Sequence, residues 1–557
     1  SIQKVNIQDV RSLETQQLKI LNPNNSQIPK PVGRIMGSLK TLFKIGIGPS
    51  SSHTMGPNVA ALTFKSQFFD ATDFEVTLYG SLAQTGVGHK TDLAIKSQLG
   101  QHCTKINFVP EKRMIRHTNG MCFVAFKNGE KIGTKVWFSI GGGNLDEGSE
   151  KDMEQLIQTN TSSKEIHELQ KQLNIQTPEI TNKQAEFQYQ FSNFYDHAVY
   201  CIQQNLTLPE LVFQIENKQI LQEYSVPQSE LQKCCGKEWR NQTIKKHLIQ
   251  HHLSEVWSTM KNAVESGLKK NEDIESTKEY SYPRNAQSVY NEYLRLTEIQ
   301  ERCKKQGRVQ YYSQMESLLL RAFSLAASEQ NASAGNVVTA PTCGASGIIP
   351  GVLYYYYIQM KKYKKDEDIE NLMIEALAVG GVIGNVCRKN ASISGAEAGC
   401  QAEVGVAQAM AAAAATWLEM RLQKELLQDL ELTQEISIKQ SLANIEFAAR
   451  DSLKHNLGLT CDPINGLVID PCIGRNAAAA IAAQASATIA ATGKFDNNTT
   501  FDCVVTCMYM TGLEMHPHYK ETAEGGLAKY HINYGYQNKF TSVAFQNQGN
   551  KDIEDLK

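Results

Sequence analysis

Two patterns of apolar and polar residues divide the chain into two regions. Between residues 36 and 148, β-branched and aromatic runs such as FEVTLYG and TKVWFSI alternate with helical stretches such as KTDLAIKSQL. This alternation predicts a small N-terminal α/β domain. Between residues 191 and 535, apolar residues recur every three or four positions, as in MESLLLRAFSLAASEQ, which predicts a larger and mostly α-helical domain. We therefore expect an α+β fold.

The stretch between the two predicted domains has a different composition. Residues 149–190 are rich in Glu, Gln, Lys, Asn and Thr and contain few aromatic residues, which is typical of a linker or a solvated insert. We therefore place the domain boundary there. A second charged stretch, residues 421–440, indicates an exposed helical insertion within the helical domain.

The overall composition excludes several classes of function. Lys and Arg number 56 against 58 Asp and Glu, a formal charge of −2, so no global field would attract nucleic acid or an anionic membrane. The N-terminal residues lack the apolar core of a signal peptide, and the alanine-rich runs lack about twenty strongly apolar residues for a membrane span. A cytoplasmic protein with a small-molecule substrate is expected. Its 13 cysteines would then bind metal or lie buried, rather than form disulfides.

Three cysteines occur in contexts that suit a metal centre. Cys461 and Cys472 bracket CDPINGLVIDPC, whose prolines and glycine predict an extended, turning loop that could aim both thiolates at one point. Cys400 follows Gly399 just before a predicted helix, whose first N–H groups would favour an anionic group. Thiolates are the usual ligands of iron–sulfur clusters, but this spacing matches no ferredoxin pattern. For any one of these cysteines, a buried structural thiol is the commoner explanation.

A serine-rich loop is the second candidate for chemistry. The sequence GIGPSSSHTMGP places Ser51 and Ser52 next to His53, between two Gly-Pro pairs. Several hydroxyl groups and one imidazole on a rigid loop could cradle a carboxylate or another anion. A serine-rich capping turn explains the same residues equally well.

A third polar cluster immediately precedes Cys400. Asn390, Ser392 and Ser394 in NASISG could donate hydrogen bonds into a pocket near that thiol. Capping of the following helix is an equally good explanation.

The motifs around these residues resemble, in their order along the chain, those of the iron–sulfur type of bacterial L-serine dehydratase, an L-serine ammonia-lyase. The resemblance runs from about residue 39 to residue 530. The motifs that carry it are GIGPSSSHTMGP, GSLAQTGVGHKTDLAI, RHTNGM, SIGGG, VVTAPTCGASGIIPGVL, NASISGAEAGCQAEVGVA, HNLGLTCDPINGLVIDPCIGRNA and HYKETAEGGLA.

The resemblance implies a [4Fe–4S] cluster held by Cys400, Cys461 and Cys472. Three protein ligands leave one iron open as a Lewis acid, which would bind the hydroxyl group of L-serine and stabilise charge on the departing oxygen. It also implies that Cys343 and Cys387 are buried thiols outside the ligand set. Pyruvate and ammonia are the expected products, and a homodimer is the expected assembly.

The resemblance further implies that His89, in GVGHK, is the base that removes the α-proton of serine. His53 and His117 would orient or polarise the substrate, and Ser51 and Ser52 would add hydrogen-bond donors. Because the histidines lie in the predicted α/β domain and the thiols in the helical one, we expect the active site where the two domains meet.

Two other functions remain open from the residues alone. A pyridoxal-phosphate dehydratase would use Gly141, Gly142 and Gly143 as a phosphate loop, but the chain offers no convincing lysine motif for the Schiff base. An iron–sulfur sensor, or an amino-acid-binding regulatory protein, could use the same cysteines and the same serine-rich loop without catalysis.

Overall fold

The computed structural model describes most of the chain from residue 36 to residue 533. Part of the predicted insert, residues 176–190, and part of the predicted charged insertion, residues 430–435, lie outside the described residues. The described ranges are 36–173, 175, 191–223, 248–277, 280–309, 314–429, 436–493, 495, 498–522 and 524–533.

A five-stranded sheet organises the N-terminal region. The strands in the described residues are β1 (Ile45–Ile47), β2 (Asp73–Tyr79), β3 (Thr104–Val109), β4 (Lys112–Met114), β5 (Gly120–Lys127), β6 (Glu130–Ser139), β7 (Leu145–Gly148), β8 (Leu156–Gln158), β9 (Ile274–Thr277), β10 (Tyr280–Tyr282) and β11 (Asn336–Val338). The order of strands in the five-stranded sheet is β3-β2-β5-β6-β7, in which β2 and β3 are parallel and the other neighbours are antiparallel.

One face of this sheet forms the smaller core. Val76 on β2 is opposite Ile106 on β3 and Phe123 on β5, which fixes the register of the sheet. Phe64, from the helix Gly56–Gln67, packs against Phe123 and Trp137 with ring centroids 5.4 and 5.9 Å away. Alternating buried and exposed residues along β2 therefore turn one face inward, as the sequence pattern predicted.

Helices account for most of the remaining structure. In chain order they are Leu39–Leu42, Gly56–Gln67, Ser81–Gln84, Thr91–Leu99, Glu150–Glu154, Ser163–Gln172, Phe194–Gln204, Leu208–Glu223, Ile249–Leu268, Ala286–Lys305, Met315–Ala332, Ile348–Met360, Asp366–Asn390, Gly395–Ala398, Val406–Asp429, Ile438–Lys454, Cys472–Ala491, Phe501–Glu514 and Gly526–Asn533. The predicted α+β class, a small sheet region followed by a larger helical one, is confirmed.

The helix Val406–Asp429 lies at the centre of the larger core. It packs against Asp366–Asn390, Ile438–Lys454 and Cys472–Ala491. Its alanines 411–415 are almost completely buried, and small side chains let neighbouring helices approach closely. Among the described residues, Asp366–Asn390 alone is long and apolar enough to cross a membrane, but 78% of its most apolar window is buried inside the protein. It is therefore placed as a core helix.

Two short strand pairs connect distant parts of the chain. β1 pairs with β11, so the segment before the serine-rich loop is joined to the helical region. β4 pairs with β8, which comes from the stretch predicted as a linker or insert. The helix Ser163–Gln172 follows, and its Gln170 amide donates to the carbonyl oxygens of Ile115 and Arg116 at 2.9 and 3.3 Å. Residues 150–172 thus pack on the sheet region.

Candidate active site

The serine-rich loop folds as one tight turn that carries His53. Ser51–Met55 form a single π-helical turn that leads directly into the helix Gly56–Gln67. The hydroxyl oxygen of Ser50 caps this turn by accepting from the backbone N–H of His53 at 3.1 Å. Ser51 and Ser52 are buried in the same turn. One serine therefore supplies the cap, while Ser52 contacts the imidazole.

The hydrogen bonds of His53 define its tautomer. The hydroxyl of Ser81 donates to the carbonyl oxygen of Glu521 at 3.0 Å, so Ser81 accepts from Nε2 of His53 at 3.1 Å. Nδ1 then carries no proton and accepts from the Ser52 hydroxyl at 2.8 Å. Burial lowers the pKa of His53 to about 4, partly offset by its bond to Ser81. The ring is therefore neutral at pH 7.

His89 has one unoccupied nitrogen inside the protein. The Thr85 hydroxyl donates to the carbonyl oxygen of Ser81 at 3.0 Å, so it accepts from Nδ1 of His89, also at 3.0 Å. Nε2 therefore carries the lone pair, and no described residue donates a hydrogen bond to it. Burial, with the adjacent His53 as a second cause, holds the pKa of His89 well below its usual value. A neutral imidazole with a free acceptor nitrogen is what a general base requires.

The rings of His53 and His89 lie together, with centroids 4.5 Å apart. His117 is buried too, and its Nδ1 accepts from the backbone N–H of Asn119 at 3.0 Å. Its proton is therefore on Nε2, which lies 3.4 Å from a carboxylate oxygen of Glu397. All three histidines named from the sequence are thus buried and held in place by hydrogen bonds.

Sequence reasoning missed a carboxyl group beside these rings. Glu521 places Oε1 3.5 Å from Nδ1 of His53, and both side chains are buried. Burial, then the charges of Glu403 and Cys400, raises the pKa of Glu521 well above its usual value. A protonated Glu521 can face the unprotonated Nδ1 of His53 without repulsion. His53, His89 and Glu521 bring one ligand-type atom each within 4.8 Å of one another.

Two of the three predicted thiols meet near Glu521. Cys400, Cys461 and a second missed carboxylate, Glu403, bring one ligand-type atom each within 4.8 Å of one another. Cys472 begins the helix Cys472–Ala491, and after burial the charge of Cys400 is the largest cause that raises the pKa of its thiol. All three thiols are at most 8% exposed.

The surroundings of the thiols fit a cluster of soft metal ions. Crowding and burial raise the thiol pKa of both Cys461 and Cys472, so thiolates here need a cationic partner. Thiolate is the ligand that iron–sulfur clusters use. A Cβ on Gly395 would lie 3.1 Å from Sγ of Cys461 and 2.5 Å from Oε2 of Glu403, so only glycine leaves this space open.

The two other cysteines discussed above lie in apolar packing. Cys343 is buried, with Sγ 3.8 Å from Sδ of Met55. Cys387 is buried within the helix Asp366–Asn390. Burial raises the pKa of both thiols strongly. The assignment of the ligand set to Cys400, Cys461 and Cys472 stays a prediction.

The histidines and thiols meet because two loops pack backbone to backbone. A Cβ on Gly88 would lie 2.9 Å from the carbonyl oxygens of Asn465 and Gly466, which belong to the loop between Cys461 and Cys472. Gly466 has a φ of +67°, and a Cβ there would lie 3.0 Å from Cβ of Thr85. The loop that carries His89 therefore rests directly on the loop that carries two thiols.

The polar residues before Cys400 have different surroundings. Asn390 donates its amide to the carbonyl oxygen of Ser192 at 2.7 Å, which ties down the chain before Phe194–Gln204. Ser392 donates to Glu397 at 2.5 Å and accepts from the backbone N–H of Ser394 at 3.0 Å. The hydroxyl of Ser394 is buried and has no hydrogen-bond partner among the described residues. Of the predicted pocket donors, Ser394 is therefore the one with a hydroxyl left for a ligand.

Comparison with known proteins identifies the family. Residues 170–435 and 436–528 match the model of the serine dehydratase alpha chain, and residues 38–103 match that of the serine dehydratase beta chain. The chain belongs to the serine dehydratase family. It is 33% identical to the L-serine dehydratase of Haemophilus influenzae, over 88% of this chain and 99% of that protein. It is 31% identical to L-serine dehydratase 2 of Escherichia coli, over 88% and 98% of the respective chains.

The resemblance noted in the sequence is thereby confirmed. A third relative, the L-serine dehydratase of Streptomyces coelicolor, is 31% identical over 88% of this chain and 98% of its own length. In this serine dehydratase, the beta-chain match contains His53 and His89, and the alpha-chain matches contain the three thiols. His117 lies between the matched segments. The candidate site therefore combines both parts of the family's architecture.

Proposed function

We propose that this serine dehydratase is an L-serine ammonia-lyase that converts L-serine into pyruvate and ammonia. The observation that carries the proposal is the neutral, buried imidazole of His89, whose Nε2 accepts no hydrogen bond from the described residues, on a loop that packs against the loop between the buried thiols Cys461 and Cys472. The names of the relatives, all L-serine dehydratases, support the choice of substrate.

The cofactor belongs to this proposal. Cys400, Cys461 and Cys472 would hold a [4Fe–4S] cluster, since all three are buried soft donors and the first two bring their sulfur atoms together. When bound, the cluster supplies a Lewis-acid iron that stabilises negative charge on the leaving hydroxyl oxygen. The protein residues supply the remaining functions.

His89 is the proposed general base. Its Nε2 takes the α-proton of serine, the electrons of that C–H bond form the new C=C bond, and the C–O bond breaks with its electrons on the departing hydroxide. The hydroxide and the proton taken by His89 together make up the water that is released. Thr85 keeps the opposite nitrogen protonated, so the acceptor stays on the substrate side. The product, 2-aminoacrylate, tautomerises to an imine and is hydrolysed in water to pyruvate and ammonia.

The other residues hold the substrate and its charges in place. His117 offers an Nε2–H donor for the substrate carboxylate or hydroxyl group, and His53 orients the site through its bonds to Ser52 and Ser81. Burial raises the pKa of Glu521, which favours its neutral form and would limit the negative charge beside the thiols. Proposed substrate contacts are Ser51, Ser52 and Ser394, whereas the amide of the fourth predicted contact, Asn390, is bonded to Ser192.

We also propose a cytoplasmic homodimer that has neither nucleic-acid nor membrane partners. The balanced charge of the chain and the burial of its apolar core helix support the expected absence of those partners, and the homodimer follows from the family resemblance alone.

The direct test is turnover of L-serine by protein purified without oxygen. Pyruvate is followed through the NADH oxidation of coupled lactate dehydrogenase, and ammonia is measured separately. We expect both products in equal amounts, and loss of about 100-fold or more in kcat for His89→Gln, the range of a general base. His102→Gln changes an exposed histidine of the same region and is the matched control. A wild-type protein loaded with iron and sulfide that forms no pyruvate would overturn the proposal.

A further inference from the structure

A cavity of about 120 Å³ lies beside His117, and neither His53 nor His89 lines it. Its charged walls come from distant parts of the chain. Arg113 lies on β4, Glu397 on the short helix Gly395–Ala398, and Lys520 near the end of the described chain. Arg116 also lines the cavity, but its guanidinium is paired with the carboxylate of Asp146. The cavity therefore carries two cations besides that ion pair and one carboxylate, next to a histidine of the candidate active site.

Arg113 is a cation without a salt-bridge partner in the part of the chain that the structure describes. Its Nε donates to the carbonyl oxygen of Met114 at 3.3 Å. Burial lowers its pKa to about 10, and the charge of Glu397 opposes this shift. The guanidinium therefore stays protonated at neutral pH, and most of its donors are left for a ligand.

Lys520 adds a second buried cation. Its ammonium group donates to the carbonyl oxygen of Gly512 at 2.5 Å, and the residue is 6% exposed. Burial, then the charge of Arg113, lowers its pKa to about 8. Two cations that repel each other in a poorly solvated space gain stability when an anion binds between them.

Glu397 gives the same cavity an acidic wall. Its carboxylate accepts from Ser392 at 2.5 Å and lies 3.4 Å from Nε2 of His117. That nitrogen is buried and has no hydrogen bond within the described residues. A carboxylate can accept about four hydrogen bonds, so Glu397 can serve several donors at once.

The backbone around Lys520 lies between this cavity and the reaction centre. Cys461 pairs with Lys520, with its N–H 2.8 Å from the oxygen of Tyr519 and its carbonyl oxygen 2.9 Å from the N–H of Glu521. Glu521 has a φ of +62°, so the backbone turns after Lys520. Lys520 lines the cavity, whereas Glu521 lies against His53.

We propose that this cavity is a capture site for a zwitterionic α-amino acid, which docks there before it enters the reaction centre. Arg113 and Lys520 bind the carboxylate, and Glu397 binds the ammonium group. Charge of both signs within one small cavity matches an amino acid better than a simple anion. The choice of L-serine as the physiological occupant rests on the proposed function, whereas the chemical class rests on these residues.

Calorimetric titration of the full-length protein, purified without oxygen, tests the capture site. L-alanine carries both charged groups but has no hydroxyl to lose, and propanoate carries the carboxylate alone. We expect L-alanine to bind more tightly than propanoate, and Arg113→Gln to weaken L-alanine binding by about tenfold or more. Lys112→Gln, which removes the exposed neighbouring cation on the same strand, should bind like the wild type. Arg113→Lys should recover part of the affinity.

A second variant separates recognition from folding. Glu397→Gln should weaken L-alanine but leave propanoate unchanged or tighter, because only the ammonium group loses its partner. A folding defect would weaken both ligands alike. Equal loss of both ligands in Glu397→Gln, equal affinity of the wild type for both, or unchanged L-alanine binding in Arg113→Gln would each overturn the capture site.

Steady-state kinetics distinguish this proposal from the proposed function. Arg113→Gln should raise the KM for L-serine by about the same factor as it weakens L-alanine, with kcat within about twofold of the wild type. If no pyruvate forms but L-alanine still binds through Arg113, the proposed function fails and the capture site is supported. If pyruvate forms and Arg113→Gln changes neither KM nor L-alanine binding, the capture site alone fails.

Discussion

Replacing Thr85 by valine removes the contact that fixes the tautomer of His89. Valine has nearly the shape of threonine, so the contact between Cβ of this residue and Gly466 is kept. Both hydrogen bonds of the hydroxyl, the one accepted from His89 and the one donated to Ser81, are lost. The change therefore isolates one polar group in a packed interior, because Thr85 is only 2% exposed.

The expected magnitude follows from the proton on Nδ1 of His89. A buried donor without a partner costs about 1–3 kcal/mol, which is roughly 5- to 150-fold in an equilibrium constant. The ring can avoid this cost by moving its proton to Nε2, the nitrogen that we assign as the base. The population of the active tautomer, and with it kcat, should then fall by roughly this factor. KM should change little, because Thr85 is not one of the residues proposed to contact the substrate.

The assay compares Thr85→Val with Thr85→Ser, which keeps the hydroxyl group. Pyruvate formation gives kcat and KM, and circular dichroism during heating shows how much of any loss is unfolding. We expect Thr85→Ser to retain most of the activity and Thr85→Val to lose about 5- to 150-fold in kcat. Wild-type kcat in Thr85→Val, or the same loss in both variants, would refute the role given to this hydroxyl group.

The remaining predictions concern the thiols, the glycine beside them and a buried histidine. Cys472→Ser should lose most of its iron and acid-labile sulfide, whereas Cys343→Ser should keep both; equal metal content in the two variants would contradict the ligand set. Gly395→Ala places a Cβ 2.5 Å from Glu403, so it should lower metal loading and should lower the free energy of unfolding by about 1–3 kcal/mol. A Cβ at Gly474 meets no atom within 4 Å, so the control Gly474→Ala should change neither quantity. Burial lowers the pKa of His197 to about 4 in the folded protein, whereas its pKa in the unfolded chain is about 6.5. The unfolded state therefore binds more protons, and the stability of the protein falls as the pH drops from 6.5 towards 4. Between pH 7.5 and pH 5, the free energy of unfolding measured with urea should therefore fall by about 2 kcal/mol less in His197→Gln than in the wild type. Parallel pH profiles of the two proteins would disprove this assignment.

Local patterns predicted the fold class well because strands and helices have different periods. The run FEVTLYG became β2, and MESLLLRAFSLAASEQ became the helix Met315–Ala332. Composition was a poorer guide to residues 149–190. Polar residues there suggested a linker or solvated insert, yet β8 in this stretch pairs with β4, some 40 residues earlier in the chain. That pairing depends on a distant partner, which the composition of one segment does not contain.

The candidate site shows the same division between local and distant information. His53, His89 and the three thiols could be named because each occurs in a distinctive motif. Glu521 also occurs in one, HYKETAEGGLA, but nothing in that string distinguishes its role from that of Lys520. The difference arises only when the segment pairs with Cys461.

That pairing makes the spacing of the chain around residue 520 as important as its composition. Deleting or inserting a single amino acid just before Lys520 would change which residue pairs with Cys461, moving the ammonium group out of the cavity and the carboxyl group of Glu521 away from the imidazoles. Both compartments would then lose a polar group at once. Length changes in this segment should accordingly be far less tolerated than substitutions at its exposed positions.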